Sequence, residues 1–188
     1  WDMIVLNGYL LLNILIGSAL SLLIGVGAIR LANRTGLVDM PGALPHKRHT
    51  LPTPLAGGIT LMAALLAGSV FFGPEALNTL WRIALPAVVV FAFGLWDDYK
   101  RLPAWVKLLG QLLAGAILIA LGIFVQVLQN GFLGLSGPIL VVGNWLITLF
   151  WIVGMTNALN LIDSMDGLSV GVSGVALAFM ILVSLVSG

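Results

Sequence analysis

Hydrophobic residues in this chain fall into six long runs separated by polar breaks, at about Met3–Ile29, Leu55–Phe72, Leu80–Trp96, Trp105–Leu128, Ile139–Ala158 and Leu168–Val186. Several approach the ~20 apolar residues needed to cross the hydrocarbon of a bilayer. All are expected to be α-helices, because a lone spanning strand would leave its backbone groups unpaired in lipid. The third run is short and carries Pro86, which a membrane helix tolerates better than a soluble one. The first run is too long for a signal-peptide core and has no basic residue before it, so it reads as a retained span. The predicted fold is all-α: a polytopic membrane helix bundle of about six transmembrane helices, forming a single transmembrane domain over residues 1–188.

Composition narrows the class further. Hydrophobic residues make up 60% of the 188, charged residues only 8%, and the mean hydropathy is +1.14. A soluble domain would need a polar surface that this chain cannot supply. The net charge is +1 and no basic run suggests nucleic acid as a partner. Cysteine is absent, which excludes disulfides, thiolate metal sites and a cysteine nucleophile. The chain opens on Trp1 and stops at Gly188 as an apolar run ends, so it is expected to be a piece of a longer protein.

Charge placement orients the spans. Arg30, Arg34, Lys47 and Arg48 lie in the first connection, and Lys100, Arg101 and Lys107 lie in or beside the third. With six alternating spans, connections one, three and five share a side. That side holds every basic residue except Arg82, and by the positive-inside rule it is cytoplasmic. Asp39, Asp97, Asp98, Asp163 and Asp166 fall on the same side. Three cytoplasmic segments, about 30–54, 97–105 and 157–167, therefore carry nearly all of the polar chemistry.

In the first, four prolines (Pro41, Pro45, Pro52 and Pro54) enforce an irregular, stiff connection. Gly57 and Gly58 then let the next helix start with its backbone close to a neighbour or ligand. The cluster His46-Lys47-Arg48-His49 suits a phosphate or an acidic substrate, or serves only as a topogenic basic loop. In the second, WDDYKRLPAWVKLLGQ, adjacent carboxylates at the end of a membrane helix are costly. Asp97 and Asp98 point about 100° apart on a helix, so one can take a proton or a cation while the other orients a partner. The plainer alternative is that water and Lys100 or Arg101 balance both. Lys107, about one turn into the fourth span, either snorkels or reaches a phosphate.

The third segment, NALNLIDSMDGL, spaces Asn157, Asn160, Asp163 and Asp166 three apart. On one continuous α-helix the four would drift half a turn apart. The spacing therefore predicts a helix end that tightens or unwinds, with Gly167 well placed for the turn. Four such residues exceed what helix capping needs, which favours a site for a polar ligand. Glycines within the spans suit close helix packing, and tryptophans at span ends suit interfacial anchoring. The chain lacks an HExxH, a Walker A loop, a dinucleotide-binding glycine motif after a strand and a nucleophile elbow.

Taken together, the three segments resemble the polyprenyl-phosphate N-acetylhexosamine-1-phosphate transferases, multispanning enzymes that start cell-envelope glycan assembly. The resemblance rests on Lys47, His49, Pro52, Pro54, Gly57 and Gly58; on Asp97 and Asp98 followed by Lys107 and Gln111; and on Asn157, Asn160, Asp163, Asp166, Gly167 and Leu168. Ser164 stands where the family usually has glycine. The resemblance implies transfer of a sugar 1-phosphate, GlcNAc 1-phosphate by the look of PTPLAGG and LPAWVKLLGQ, from a UDP-N-acetylhexosamine to a polyprenyl phosphate. UMP is released, and Mg²⁺, or Mn²⁺ in its place, supports the reaction at the cytoplasmic face of the cell membrane. In the roles it implies, Asp97 and Asp98 are catalytic. Lys47, His49 and Lys107 contact phosphate, while Asn157, Asn160, Asp163, Asp166, Gly167 and Leu168 hold the nucleotide-sugar. The family continues through about four more spans, which carry the aspartate most directly tied to Mg²⁺, so no metal ligand is assigned here. Oligomeric state is open, a homodimer included. Two other classes stay open: a proton- or cation-coupled transporter, and a protein that binds lipid or nucleotide without turnover.

Overall fold

The computed structural model describes residues 2–39, 51–71, 74–129, 137–163 and 167–187. Among the described residues six helices stand where the six apolar runs place them: α1 (Asp2–Thr35), α2 (Gly57–Phe71), α3 (Pro74–Lys100), α4 (Ala104–Ala120), α5 (Pro138–Ile162) and α6 (Leu168–Ser187). A two-residue antiparallel ribbon, β1 (Val38–Asp39) with β2 (Thr53–Pro54), pairs Val38 with Pro54 and Asp39 with Thr53. It ties together the two ends of the first connection. The chain divides into two compact units, Trp1–Leu121 and Gly122–Gly188.

Stretches of α1, α3 and α5 (Leu12–Thr35, Leu80–Lys100 and Pro138–Ile162) are long and apolar enough to cross a membrane, and α2, α4 and α6 contribute shorter apolar helices. Large apolar side chains point outward along them: Leu22 is 72% exposed and Phe150 79%. In water such surfaces would drive aggregation. Lipid removes that penalty and also removes the hydrophobic drive between helices, so contact falls to small residues. Ala28, Ala32 and Ala56 form the buried cluster joining α1 to the start of α2, with Leu37 and Ile59 packed on it. On α4 the buried residues are Gly110, Ala114 and Gly115. A Cβ added at Gly110 would lie 2.6 Å from the Phe93 ring, so the approach of α3 to α4 requires glycine there. This is an all-α membrane helix bundle, as the apolar runs predict.

Helix ends extend beyond the apolar runs. α1 continues through Arg30 and Arg34, α3 through Asp97 and Asp98, and α5 through Asn160. Residues expected in connections thus begin as last helical turns. The reason is that a helix leaving hydrocarbon keeps its backbone bonds while its polar side chains reach water.

The fourth run corrects the expectation more deeply. In place of one span over Trp105–Leu128, α4 stops at Ala120. Leu121 caps it, its N–H donating to the Ile117 carbonyl, and Gly122 turns the chain at φ 80°, the left-handed geometry that ends helices. Ile123–Gln129 then runs non-helically along α5. The Val125 N–H donates to Thr148 Oγ1 at 2.9 Å, and the Leu128 N–H to Asn144 Oδ1 at 2.9 Å. Asn144 Nδ2 returns a bond to the Leu128 carbonyl at 3.1 Å, and Thr148 Oγ1 donates to the Asn144 carbonyl at 2.7 Å. Asn144 and Thr148 are both buried. Backbone outside a helix is tolerated among apolar helices when its polar groups find such partners.

Candidate functional site

The turn between α3 and α4 is built around Asp97. α3 ends as Arg101 takes a left-handed φ of 48°, with its N–H donating to the Asp97 carbonyl at 2.7 Å. That conformation costs a non-glycine residue about 1–2 kcal/mol. The Asp97 side chain offsets it, Oδ1 accepting the Leu102 N–H at 2.7 Å. Oδ2 meets Lys107 Nζ at 2.6 Å. Leu102 precedes Pro103, which starts α4 from an extended conformation at φ −65° and ψ 151°, as the residue type requires. Lys107 sits in the first turn of α4, where a cation opposes the helix dipole; Asp97 neutralises that conflict. Where the plainer alternative balanced the aspartates with water and Lys100 or Arg101, Asp97 pairs with Lys107.

Asp98 is exposed. It lines a cleft of about 390 Å³ with Tyr99, Lys100 and Arg101 on one side and Gly36, Leu37 and Val38 on the other. The cleft exists because the exit of α1 is held in place: the Leu37 N–H donates to the Ala32 carbonyl at 2.9 Å, and the Leu55 N–H to the Leu37 carbonyl at 3.0 Å. One carboxylate and two cations thus face a polar hollow at one end of the first unit.

In the second unit, Asn157 and Asn160 lie exposed on the last two turns of α5. Asn157 Nδ2 donates back to the Val153 carbonyl at 2.8 Å. Asp163, also exposed, caps the helix, its N–H bonded to the Leu159 carbonyl at 2.9 Å. Gly167 takes φ 76°, and its carbonyl accepts the Gly171 N–H at 2.9 Å to open α6 at Leu168. The spacing-based expectation of a helix that ends within the motif, with Gly167 at the turn, agrees with this geometry.

Of the expected site residues, Asp97, Asp98 and Lys107 come together at the α3–α4 turn, and Asn157, Asn160 and Asp163 follow one another down the end of α5. Lys47, His49 and Asp166 lie outside the described residues. Sequence reasoning did not single out Gly36–Val38 or Arg101 as cleft residues. It also passed over Asn144 and Thr148, whose signal was two polar residues four apart inside an otherwise apolar helix. Among the described residues no group of three His, Cys, Asp or Glu side chains could hold a metal ion. Asp97 already has both carboxylate oxygens engaged, one by the Leu102 N–H and one by Lys107.

The fold and these polar helix ends define a membrane helix bundle that presents carboxylates, amides and cations where its apolar helices end. Residues 80–188 match glycosyl transferase family 4, and the chain belongs to that family. The match takes in Asp97, Asp98, Lys107 and the whole Asn157–Leu168 motif, and begins after the first connection. The chain is 31% identical over 162 residues to a probable undecaprenyl-phosphate N-acetylglucosaminyl 1-phosphate transferase of Bacillus subtilis, covering 85% of this chain and 44% of that protein. It is 32% identical over 167 residues to a phospho-N-acetylmuramoyl-pentapeptide-transferase of Lactobacillus gasseri, covering 81% and 51%. Over 158 residues it is 34% identical to a decaprenyl-phosphate N-acetylglucosaminephosphotransferase of Mycobacterium tuberculosis, covering 77% and 38%. The chain thus spans about half the length of these relatives or less. No solved structure matches it.

Proposed function

We propose that the protein transfers N-acetylhexosamine 1-phosphate, GlcNAc 1-phosphate foremost, from a UDP-sugar to a polyprenyl phosphate. It would act at the cytoplasmic face of the cell membrane, as the first membrane step of cell-envelope glycan synthesis. An oxygen of the lipid phosphate attacks the β-phosphorus of the UDP-sugar. The new P–O bond makes the lipid diphospho-sugar, and the bond from that phosphorus to the bridging oxygen breaks to release UMP. Among the chain's own features, the cleft carries this reading: Asp98, Lys100 and Arg101 stand together where apolar helices end. Isoprenoid would stay in hydrocarbon while its phosphate meets the cations, which offset the charge that phosphoryl transfer concentrates. Lys100 and Arg101 line this cleft, and Arg30 and Arg34 lie in the last turns of α1, whose exit forms its other side; this clustering of cations supports a cytoplasmic placement. In the same reading, Asn160, Asp163 and Asp166 hold the nucleotide-sugar, Lys47 and His49 contact phosphate, and the reaction depends on Mg²⁺. The names of the Bacillus and Mycobacterium relatives favour GlcNAc; that of the Lactobacillus relative points to another sugar.

The test is UMP release and lipid-linked sugar formation by the complete protein in detergent, from UDP-GlcNAc and undecaprenyl phosphate with Mg²⁺. Equal amounts of both products are expected. Turnover only with UDP-MurNAc-pentapeptide would change the sugar, and no turnover with either donor would overturn the reaction.

A further inference from the structure

We propose that the Trp1–Leu121 unit carries an apolar belt thinner than an ordinary bilayer and thins the membrane around it, so that lipid phosphates sink to the level of the Asp98–Arg101 cleft. The partner is the lipid boundary itself, and the thinning does not depend on the reaction proposed above. Helix lengths are the first observation. α2 has 15 residues and α4 has 17, about 22 and 25 Å at 1.5 Å per residue, against a hydrocarbon core of about 30 Å. α1 and α3 are longer, but polar residues cut their apolar stretches short. Asn13 to Arg30 on α1 covers about 26 Å, and Arg82 to Asp97 on α3 about 22 Å. On α4, Lys107 leaves only about 20 Å before the helix stops at Ala120.

Contacts within the unit make those ends level. On the inner side, Ala28 and Ala32 of α1 pack with Ala56 at the start of α2, and Lys107 meets Asp97 at 2.6 Å. Further along, a Cβ on Gly25 would lie 3.6 Å from Thr60, one on Gly58 3.5 Å from the Phe91 ring, and one on Gly110 would strike Phe93. Followed outward from these contacts, the antiparallel pairs bring Asn13 beside the end of α2 and Arg82 beside Leu121, the cap of α4. The four short stretches are therefore one belt and not four staggered spans. Tryptophans mark its two edges. Trp81 stands beside Arg82, whose guanidinium carbon lies 5.8 Å from the ring centre, and Trp96 beside Asp97, about 22 Å away along α3. Both rings are exposed, as interfacial anchors are. Tilting cannot restore the missing length, because a tilted helix reaches less far across the bilayer. Lys107 is tied to Asp97 and does not extend. Thinning is the response left to a single copy, and it sets inner-leaflet phosphates level with Lys100 and Arg101 in the cleft.

The experiment reconstitutes the complete protein in vesicles of dimyristoleoyl, dioleoyl or dierucoyl phosphatidylcholine, in order of increasing thickness. Quenching of tryptophan fluorescence by the brominated form of each lipid gives its relative affinity for the protein boundary. Each ångström of mismatch carries a modest cost, so dimyristoleoyl lipid is expected to bind several-fold more strongly than dierucoyl, with dioleoyl between them. Arg82→Leu keeps every tryptophan, removes the outer charge and lets the apolar run of α3 continue to Leu80. It should shrink that preference. Equal affinities, strongest binding of dioleoyl or dierucoyl lipid, or a preference untouched by Arg82→Leu would each overturn the proposal.

Turnover of UDP-GlcNAc and undecaprenyl phosphate in the same vesicles tests the link to the cleft. It is expected to be several-fold faster in dimyristoleoyl than in dierucoyl lipid, and the reverse order would overturn that link. If no vesicle yields product yet the short lipid binds best, the reaction fails and the thin belt stands. If the protein turns over but binds all three lipids equally, the belt fails and the reaction stands.

Discussion

The turn between α3 and α4 and the stretch Ile123–Gln129 face the same problem. In each, backbone leaves a helix beside apolar neighbours and needs partners for its N–H and C=O groups. At the turn the partner is a carboxylate, Asp97, itself balanced by Lys107, whose side chain is 41% exposed. Along α5 the partners are neutral: the amide of Asn144 and the hydroxyl of Thr148, both buried. The difference follows solvation. Where water reaches, a charge can be held cheaply and also be put to use; where it does not, a neutral amide satisfies the backbone without the cost of burying an ion. One region can therefore carry chemistry and the other only structure.

That contrast can be broken by mutation, and stability should respond most at the neutral clamp. Asn144→Leu leaves both the Leu128 N–H and its carbonyl without their partner and should cost about 2–6 kcal/mol, taking roughly 1–3 per orphaned group. The expected outcome is a lowered thermal midpoint and loss of the monodisperse fraction in detergent. An unchanged midpoint would mean that the stretch does not depend on α5. Gly110→Ala drives a methyl into the Phe93 ring, 2.6 Å away, and should cost about 1–3 kcal/mol by overpacking, read in the same melt. Thr148→Val removes the acceptor for the Val125 N–H and the hydroxyl's own bond to the Asn144 carbonyl; orphaning one N–H should cost about 1–2 kcal/mol, and the variant should melt above Asn144→Leu.

Asp97→Asn should be the mildest of the four in the melt, below about 1 kcal/mol, because partly exposed ion pairs contribute little and the amide oxygen can still accept from Leu102. Its loss should be seen in kcat instead. A melt as damaged as that of Asn144→Leu would make the charged turn structural and erase the distinction between the two regions.

How far these regions could be read in advance differs in the same way. Carboxylates at 97 and 98 announce themselves in a chain with 8% charged residues, and the end of α5 within the Asn157–Gly167 motif follows from side-chain spacing and a glycine. The break of α4 at Ala120 was hidden, since Leu121–Leu128 is apolar and reads as more of the same span. Its real determinants, Asn144 and Thr148, lie at least 16 residues further on.

By itself the sequence determined the helical class and the places of six helices, because runs of about 20 apolar residues in lipid leave the backbone no other way to satisfy itself. It also determined which polar residues stand at the helix ends. Only the tertiary structure decided which partner each of them meets. Asp97 reaches Lys107 rather than its neighbours because Gly110 lets α4 close onto Phe93 and sets the register of the two helices. Asp98, one residue on, is turned about 100° away by the geometry of the helix they share, and so lines the cleft with Arg101.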